Sequence, residues 1–331
     1  MRRLQRSLPE PGGTPPRYSV VVPVYGNRAT LPAVLSRLAE VAEKLDGALE
    51  AVFVVDGSPD DSAEVLADLV PRQGLAVQVL EHSRNFGSFA AIRTGLASAR
   101  GDYIGVMAAD LQEPPEVMLG FFEQLTSGDY DVAVGRRASR DDPGSSALMS
   151  SIFWGLYRRT INREIPPGGV DVFACTREVA QRLTLLDEAH TSLVALLYWV
   201  GYRRVEVPYD RVARTEGTSG WTLRKKVTYL SDSVFAFTRI PIQALTALGV
   251  VGTVITLVVA LVVLVSWLAG QIESPGYTPL MLTMLFSTFL LLTGMGVLGS
   301  YVWRTYENTK RRPVALTRSH WIHDPQPEEE T

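Results

Sequence analysis

Two stretches of the chain carry no charge at all: 33 residues between Arg239 and Glu273, and 30 between Glu273 and Arg304. Each contains an apolar run, residues 244–268 and 280–303, and each run exceeds the ~20 residues a helix needs to cross a hydrocarbon core. Globular core helices of that length rarely lack every charge, so the pattern predicts two transmembrane helices within residues 240–304. The second run carries Gly294, Gly296 and Gly299, which permit close helix contact. Arg224, Lys225, Lys226 and Arg239 precede the first run, and Arg304, Lys310, Arg311 and Arg312 follow the second. The connection, residues 270–279, has no Lys or Arg. The positive-inside rule then puts both long ends in the cytoplasm and the connection outside. Just upstream, Leu223, Val227, Leu230, Val234 and Phe237 recur at steps of 4, 3, 4 and 3, one stripe of a helix. With Trp221 and three basic residues at its start, segment 221–239 is expected to lie in the membrane interface as an amphipathic helix.

Residues 17–215 alternate in type. Apolar, β-rich runs at 17–24, 50–56, 75–82, 102–110 and 130–136 are separated by helical spacing at 30–45, 60–69, 89–99 and 115–125. This order predicts an α/β domain, a mainly parallel sheet covered by helices. In such sheets ligands bind beyond the carboxyl ends of the strands. Those exits are polar: Pro23-Val24-Tyr25-Gly26-Asn27, Asp56-Gly57-Ser58-Pro59-Asp60, Ser83-Arg84-Asn85-Phe86-Gly87 and Asp110-Leu111-Gln112-Glu113. Singly, each has a plain structural reading: Asp-Gly-Ser as a turn, Asp110 as a helix cap, Asn85 as a turn residue. Together they converge on one edge of a sheet. The formal net charge of −3 gives no basic footprint for nucleic acid. The single cysteine, Cys175, excludes a disulfide framework, and the four histidines are too scattered for a metal cluster.

The segments VVPVYGN, VVDGSPDDS, SRNFGSFAAIRTGL and AADLQEPPE, in this order, resemble the family 2 glycosyltransferases of GT-A fold, a Rossmann-like architecture. The amphipathic helix and the two apolar runs behind it resemble the polyprenyl-phosphate branch of that family. The resemblance spans roughly residues 17–305 and implies inverting transfer of a sugar from a nucleotide-sugar, UDP-glucose or a related UDP-hexose, to undecaprenyl-type phosphate. It further implies Mg²⁺ or Mn²⁺ as cofactor, a homo-oligomer (a tetramer in the family), and residence in the cell inner (plasma) membrane. Other lipid or glycan acceptors, or a non-catalytic nucleotide-sugar-binding scaffold, stand as alternatives.

Residue by residue, the resemblance implies that Pro23, Tyr25, Asn27, Asp56, Arg84 and Asn85 hold the nucleotide-sugar. Asp110 and Gln112 match the metal-binding motif and also the donor site, but Ala108 stands where the family has its first acid. Hard divalent cations take oxygen ligands and bridge diphosphate oxygens. Asp171, in Gly168-Gly169-Val170-Asp171, matches the acid beside the acceptor and is the expected catalytic base. Arg136, Arg137, Arg211 and Arg214 match positions that bind the acceptor phosphate, a task that suits the planar guanidinium fork. The resemblance and the apolar runs together divide the chain into a flexible N-terminal tail (1–16), a GT-A domain (17–220), the juxtamembrane helix (221–239), two transmembrane helices (240–304) and a cytoplasmic C-terminal tail (305–331), mostly polar from Thr317.

Overall fold

The computed structural model describes residues 16–72, 74–137, 154–155, 157–159, 161–166, 169–186, 188, 191–210, 223–238, 240–269 and 276–325. The chain forms two compact units, one of residues 1–187, 192–222 and 313–331, the other of residues 188–191 and 223–312. The N-terminal tail, apart from its last residue, lies outside the described residues.

The first unit opens as the residue pattern expects: β1 (Tyr18–Val24), α1 (Leu31–Glu43), β2 (Leu49–Val55), α2 (Ser62–Leu69), β3 (Ala76–His82), α3 (Ser88–Ser98), β4 (Tyr103–Val106), α4 (Val117–Thr126) and β5 (Val132–Arg137). It continues with β6 (Phe173–Thr176), α5 (Arg177–Leu185), α6 (Leu193–Trp199) and β7 (Arg204–Tyr209), and is completed by β8 (Thr317–His323). β2 is buried at all seven positions, as a strand covered on both faces must be. α1 buries Leu31, Val34, Leu35, Leu38 and Val41, a helical stripe begun beside Pro32 in its first turn. These residues pack with Phe53, Phe121 and Phe122 in the core.

All eight strands form one sheet in the order β7-β5-β6-β4-β1-β2-β3-β8. The pairs β1–β2, β2–β3, β1–β4 and β5–β7 are parallel. β6 runs antiparallel between β4 and β5, and β8 runs antiparallel to β3. Six strands thus share one direction, so the sheet is mixed but mostly parallel, as the α/β pattern predicts. β4 is shorter than its apolar run: Met107 N–H still donates to Val21 O at 3.1 Å, and the chain then leaves the sheet, so Asp110 sits beyond the strand.

β8 corrects the mostly polar tail expected from Thr317. Trp321 sits opposite Val79 and packs on the core. Arg100 fastens the segment that follows: Nη2 lies 2.8 Å from Asp324 Oδ1, while Nε lies 2.7 Å from Glu50 Oε2. Glu50 is fully buried and also accepts from Ser19 Oγ and Gln78 Nε2, whose amide oxygen meets His320 Nε2 at 3.0 Å. Side chains as distant in sequence as Gln78 and His320, 242 positions apart, thus join one polar cluster around buried Glu50.

The second unit holds α7 (Leu223–Phe237), α8 (Ile240–Leu268) and α9 (Tyr277–Thr309). Among the described residues, one stretch, Phe286–Thr309, is by itself long and apolar enough to cross a membrane. Thr228–Phe237 and Ile240–Gly252 reach that measure together, across a bend of 77°. Arg304 of α9 pairs with Asp232 of α7 at 2.7 Å and stacks over the Phe235 ring.

Candidate active site

The carboxyl ends of the six co-directional strands share one edge of the sheet, and β6, running the other way, begins at that edge. Topology alone therefore brings the segment before β6, with Asp171, beside the ends of β5 and β4, with β7 one strand further along.

At the exits of β1 and β2, Asp60 is the organiser. Its carboxylate accepts from Ser58 Oγ and Ser62 Oγ, both at 2.6 Å, and from Arg28 N at 3.1 Å, while Ser58 Oγ accepts from Gly26 N at 2.8 Å. Burial pushes the Asp60 carboxyl up, but these hydrogen bonds outweigh it and hold it below the usual range. Asn27 Oδ1 accepts from Tyr25 N, fixing the turn that leaves Tyr25 52% exposed and Pro23 half-buried. Thr30 Oγ1 donates to Ala109 O at 2.6 Å, tying this loop to the one beyond β4.

Asp56 was expected to touch the nucleotide; its carboxylate is 97% enclosed and turned inward (3% exposed). Oδ1 accepts from Phe86 N and from His82 Nδ1, each at 2.8 Å, and Oδ2 accepts from Gly87 N at 2.7 Å. A carboxylate can only accept, so Nδ1 of His82 is the donor. His82 Nε2 lies 2.9 Å from Thr94 Oγ1 on α3. Burial pushes the Asp56 carboxyl up, and the bonds from His82, Phe86 and Gly87 together hold it below its ordinary value. Asp56 therefore shapes the loop that carries Arg84 and Asn85, both exposed. The neighbouring Gly57, at φ 55°, completes the joint: a Cβ there would lie 2.3 Å from Arg84 C and 2.4 Å from Asn85 N.

Beyond β4, Asp110 Oδ1 accepts from Gln112 N at 3.2 Å across Leu111, whose φ of 58° is a left-handed conformation. A residue with a Cβ pays about 1–3 kcal/mol for that, a strain typical of sites. One carboxylate and one amide fit a hard cation that takes its other oxygens from a diphosphate and water. Among the described residues no three His, Cys, Asp or Glu cluster as an all-protein metal cage.

At the far side, Arg137 from the end of β5 pairs with Asp171: Nε lies 2.7 Å from Oδ2, and Nη2 bonds the same oxygen. Tyr209, the last residue of β7, has its hydroxyl 3.3 Å from that oxygen. Burial works against the Arg137 charge, but Asp171 outweighs it and raises the guanidinium further. Burial and the Asp171 and Glu113 carboxylates push the Tyr209 phenol well above its ordinary value, so it keeps its proton. Arg136 instead turns to Glu206 at 3.3 Å, with both side chains about half exposed. Arg211 and Arg214 lie outside the described residues. Asp60, His82 and Tyr209 were not singled out from sequence; a buried His after a strand and a Tyr closing another were the available signals.

The sequence matches the family described as Glycosyl transferase family 2 over residues 19–183. It is 30% identical over 304 residues to an uncharacterized glycosyltransferase of Synechocystis sp., covering 92% of this chain and 95% of that one. It is 30% identical to an undecaprenyl-phosphate 4-deoxy-4-formamido-L-arabinose transferase of Sodalis glossinidius, with 90% and 91% covered. It is also 30% identical to a prophage bactoprenol glucosyl transferase homolog of Escherichia coli K12, with 91% and 98% covered. A mannosyltransferase of Pyrobaculum calidifontis, solved with GDP-Man and Mn²⁺, superimposes with a TM-score of 0.47 at 17% identity, covering 86% of this chain and 88% of that one. Relatives of this identity align over nearly their whole length, beyond the sheet that carries the loops described above, and the chain belongs to glycosyl transferase family 2.

Proposed function

We propose that the protein transfers a hexose from a nucleotide-sugar, UDP-glucose or a close UDP-hexose, to the phosphate of a membrane-held polyprenyl lipid of undecaprenyl type, with inversion. The observation that carries this reading is the way the apolar helices are set into the chain. Both α8 and α9 lie between β7 and β8, two strands of one sheet, so a lipid-compatible hairpin is built into the catalytic domain rather than appended to it. An acceptor whose isoprenoid tail stays in the bilayer gives that arrangement a purpose. Two relatives bear names with an undecaprenyl-phosphate or bactoprenol acceptor, which supports the same choice.

In this reading the loops after β1, β2 and β3 form the nucleotide wall, with Tyr25, Asn27, Arg84 and Asn85 toward the donor and Asp56 behind it. Asp110 and Gln112 would hold Mg²⁺ or Mn²⁺, which would supply positive charge against that developing on the departing nucleoside diphosphate. A phosphate oxygen of the lipid attacks the anomeric carbon from the face opposite the leaving group. The new C–O bond forms as the bond to the diphosphate breaks, and the electron pair leaves on the nucleoside diphosphate. An acceptor phosphate has its second pKa near about 6, so little deprotonation is needed and Asp171 acts chiefly by orienting the acceptor. Arg137, and Arg136, Arg211 and Arg214 with it, neutralise the acceptor phosphate.

The test is transfer of label from UDP-glucose to undecaprenyl phosphate in detergent, with Mg²⁺, Mn²⁺ or EDTA, for wild type, Asp110→Ala and Asp171→Asn. Metal-dependent lipid labelling, lowered at least about 100-fold in each variant, is expected. Labelling that persists in EDTA overturns the metal assignment. Donor binding without transfer, across UDP-galactose, UDP-N-acetylglucosamine and GDP-mannose as well, overturns the reaction and favours a scaffold, the role that Ala108 would suit.

A further inference from the structure

Resting on the transfer reaction above, we propose that Tyr209 is a positioning residue that holds Asp171 in place when the acceptor phosphate draws Arg137 away. Arg137 Nε and Tyr209 Oη aim at one and the same oxygen, Asp171 Oδ2, at 2.7 and 3.3 Å. The second distance is long for an O–H···O bond, as it must be while a guanidinium fills the strong positions around that oxygen. Catalytic hydrogen bonds are commonly loose before substrate arrives.

The two partners differ in what can move them. A guanidinium fork pairs with phosphate as well as with carboxylate, and a dianionic phosphate at the β5 exit outbids a single carboxylate for it. A carboxylate released from Arg137 with nothing else to fix it would be free to rotate. Tyr209 is not free to leave. It is 5% exposed, and its ring lies over Gly135, where a Cβ would come within 2.8 Å of the ring and 2.5 Å of Val172 Cγ1. Its phenol stays protonated, so it remains a donor to the carboxylate. The acceptor thereby exchanges a salt bridge that occupies Asp171 for a hydrogen bond that only aims it.

Tyr209→Phe keeps the ring and removes the hydroxyl. In the lipid-transfer assay kcat should fall roughly tenfold, less than the about 10²–10⁴-fold of an acid–base group itself because Tyr209 only positions Asp171, with the KM for nucleotide-sugar and the melting temperature unchanged. The decisive reading is the double variant: in Asp171→Asn, adding Tyr209→Phe should cost less than about twofold, because residues acting as a unit are not additive. Gly135→Ala, which displaces the ring, should show the same loss and the same non-additivity. Independent, multiplying losses overturn the proposal, as does an unchanged kcat in Tyr209→Phe. Full activity of Asp171→Asn in an active wild type overturns it through Asp171, whereas a wild type with no lipid transfer overturns the proposed function itself.

Discussion

Asp56 and His82 stand 26 positions apart, yet their contact is among the most enclosed polar pairs described, with side chains 3% and 0% exposed. Replacing Asp56 by Asn leaves an amide where His82, Phe86 N and Gly87 N all donate, so one donor must face another. That costs about 1–3 kcal/mol of stability near neutral pH. The cost depends on pH with a definite sign. Because folding lowers the Asp56 carboxyl below its ordinary 3.8, its stabilisation is complete above that pH and disappears as pH falls through the lowered value. Denaturant unfolding of wild type and Asp56→Asn should therefore diverge most near pH 7 and draw together as pH falls from 3.8 through the lowered value. The donor KM should rise as well, since the loop that carries Arg84 and Asn85 loses its anchor. Sequence made the exits legible because Gly, Pro, Asn and Asp mark chain reversals locally. It could not say that Asp56 turns inward or that Tyr209 reaches Asp171, because such pairs depend on which strands become neighbours.

Strand neighbours are decided at the level of elements, and there the sequence was legible in part. Runs of buried β-rich residues gave β1 to β5, and the helical stripes gave α1 to α4. β6 has four residues and β8 is largely polar, so neither carries a strong period, and both are antiparallel insertions in an otherwise parallel order. β8 is held as much by charge as by apolar contact. Arg100 stands between buried Glu50 and Asp324, and removing it leaves Glu50 enclosed without its cation. Arg100→Met should cost about 3–5 kcal/mol in denaturant unfolding. Adding Glu50→Gln should recover a large share of that loss, because the stranded charge is gone. Asp324→Ala, at a more exposed pair, should cost under about 1 kcal/mol.

For the whole molecule, the pairing of β8 with β3 restricts how the apolar segment can meet a bilayer. The strands before and after it belong to one sheet, so in the proposed membrane-bound reading any crossings between them come in an even number. In that reading a lone crossing by Phe286–Thr309 would not fit the connectivity, whereas two crossings, with the charge-free segment 240–268 as the other, would. The single native cysteine, Cys175, is buried, and burial pushes its thiol up to about 12, so it is a quiet background for thiol labelling. In intact cells a membrane-impermeant maleimide should label Glu273→Cys and should reach Arg318→Cys only after permeabilisation. Equal labelling of both without permeabilisation would overturn the hairpin topology.

β8 also imposes an order in time. The ribosome makes the stretch from Tyr209 to Thr317 after seven of the eight strands have emerged. At roughly 5–20 residues per second, that leaves the β3 edge bare for on the order of ten seconds, an open template for wrong pairing. In the proposed topology both apolar helices would reach the membrane in the same interval, so the hairpin would insert first and the sheet close afterwards. A stop codon between residues 310 and 317 would release a chain with its helices delivered and its sheet still one strand short.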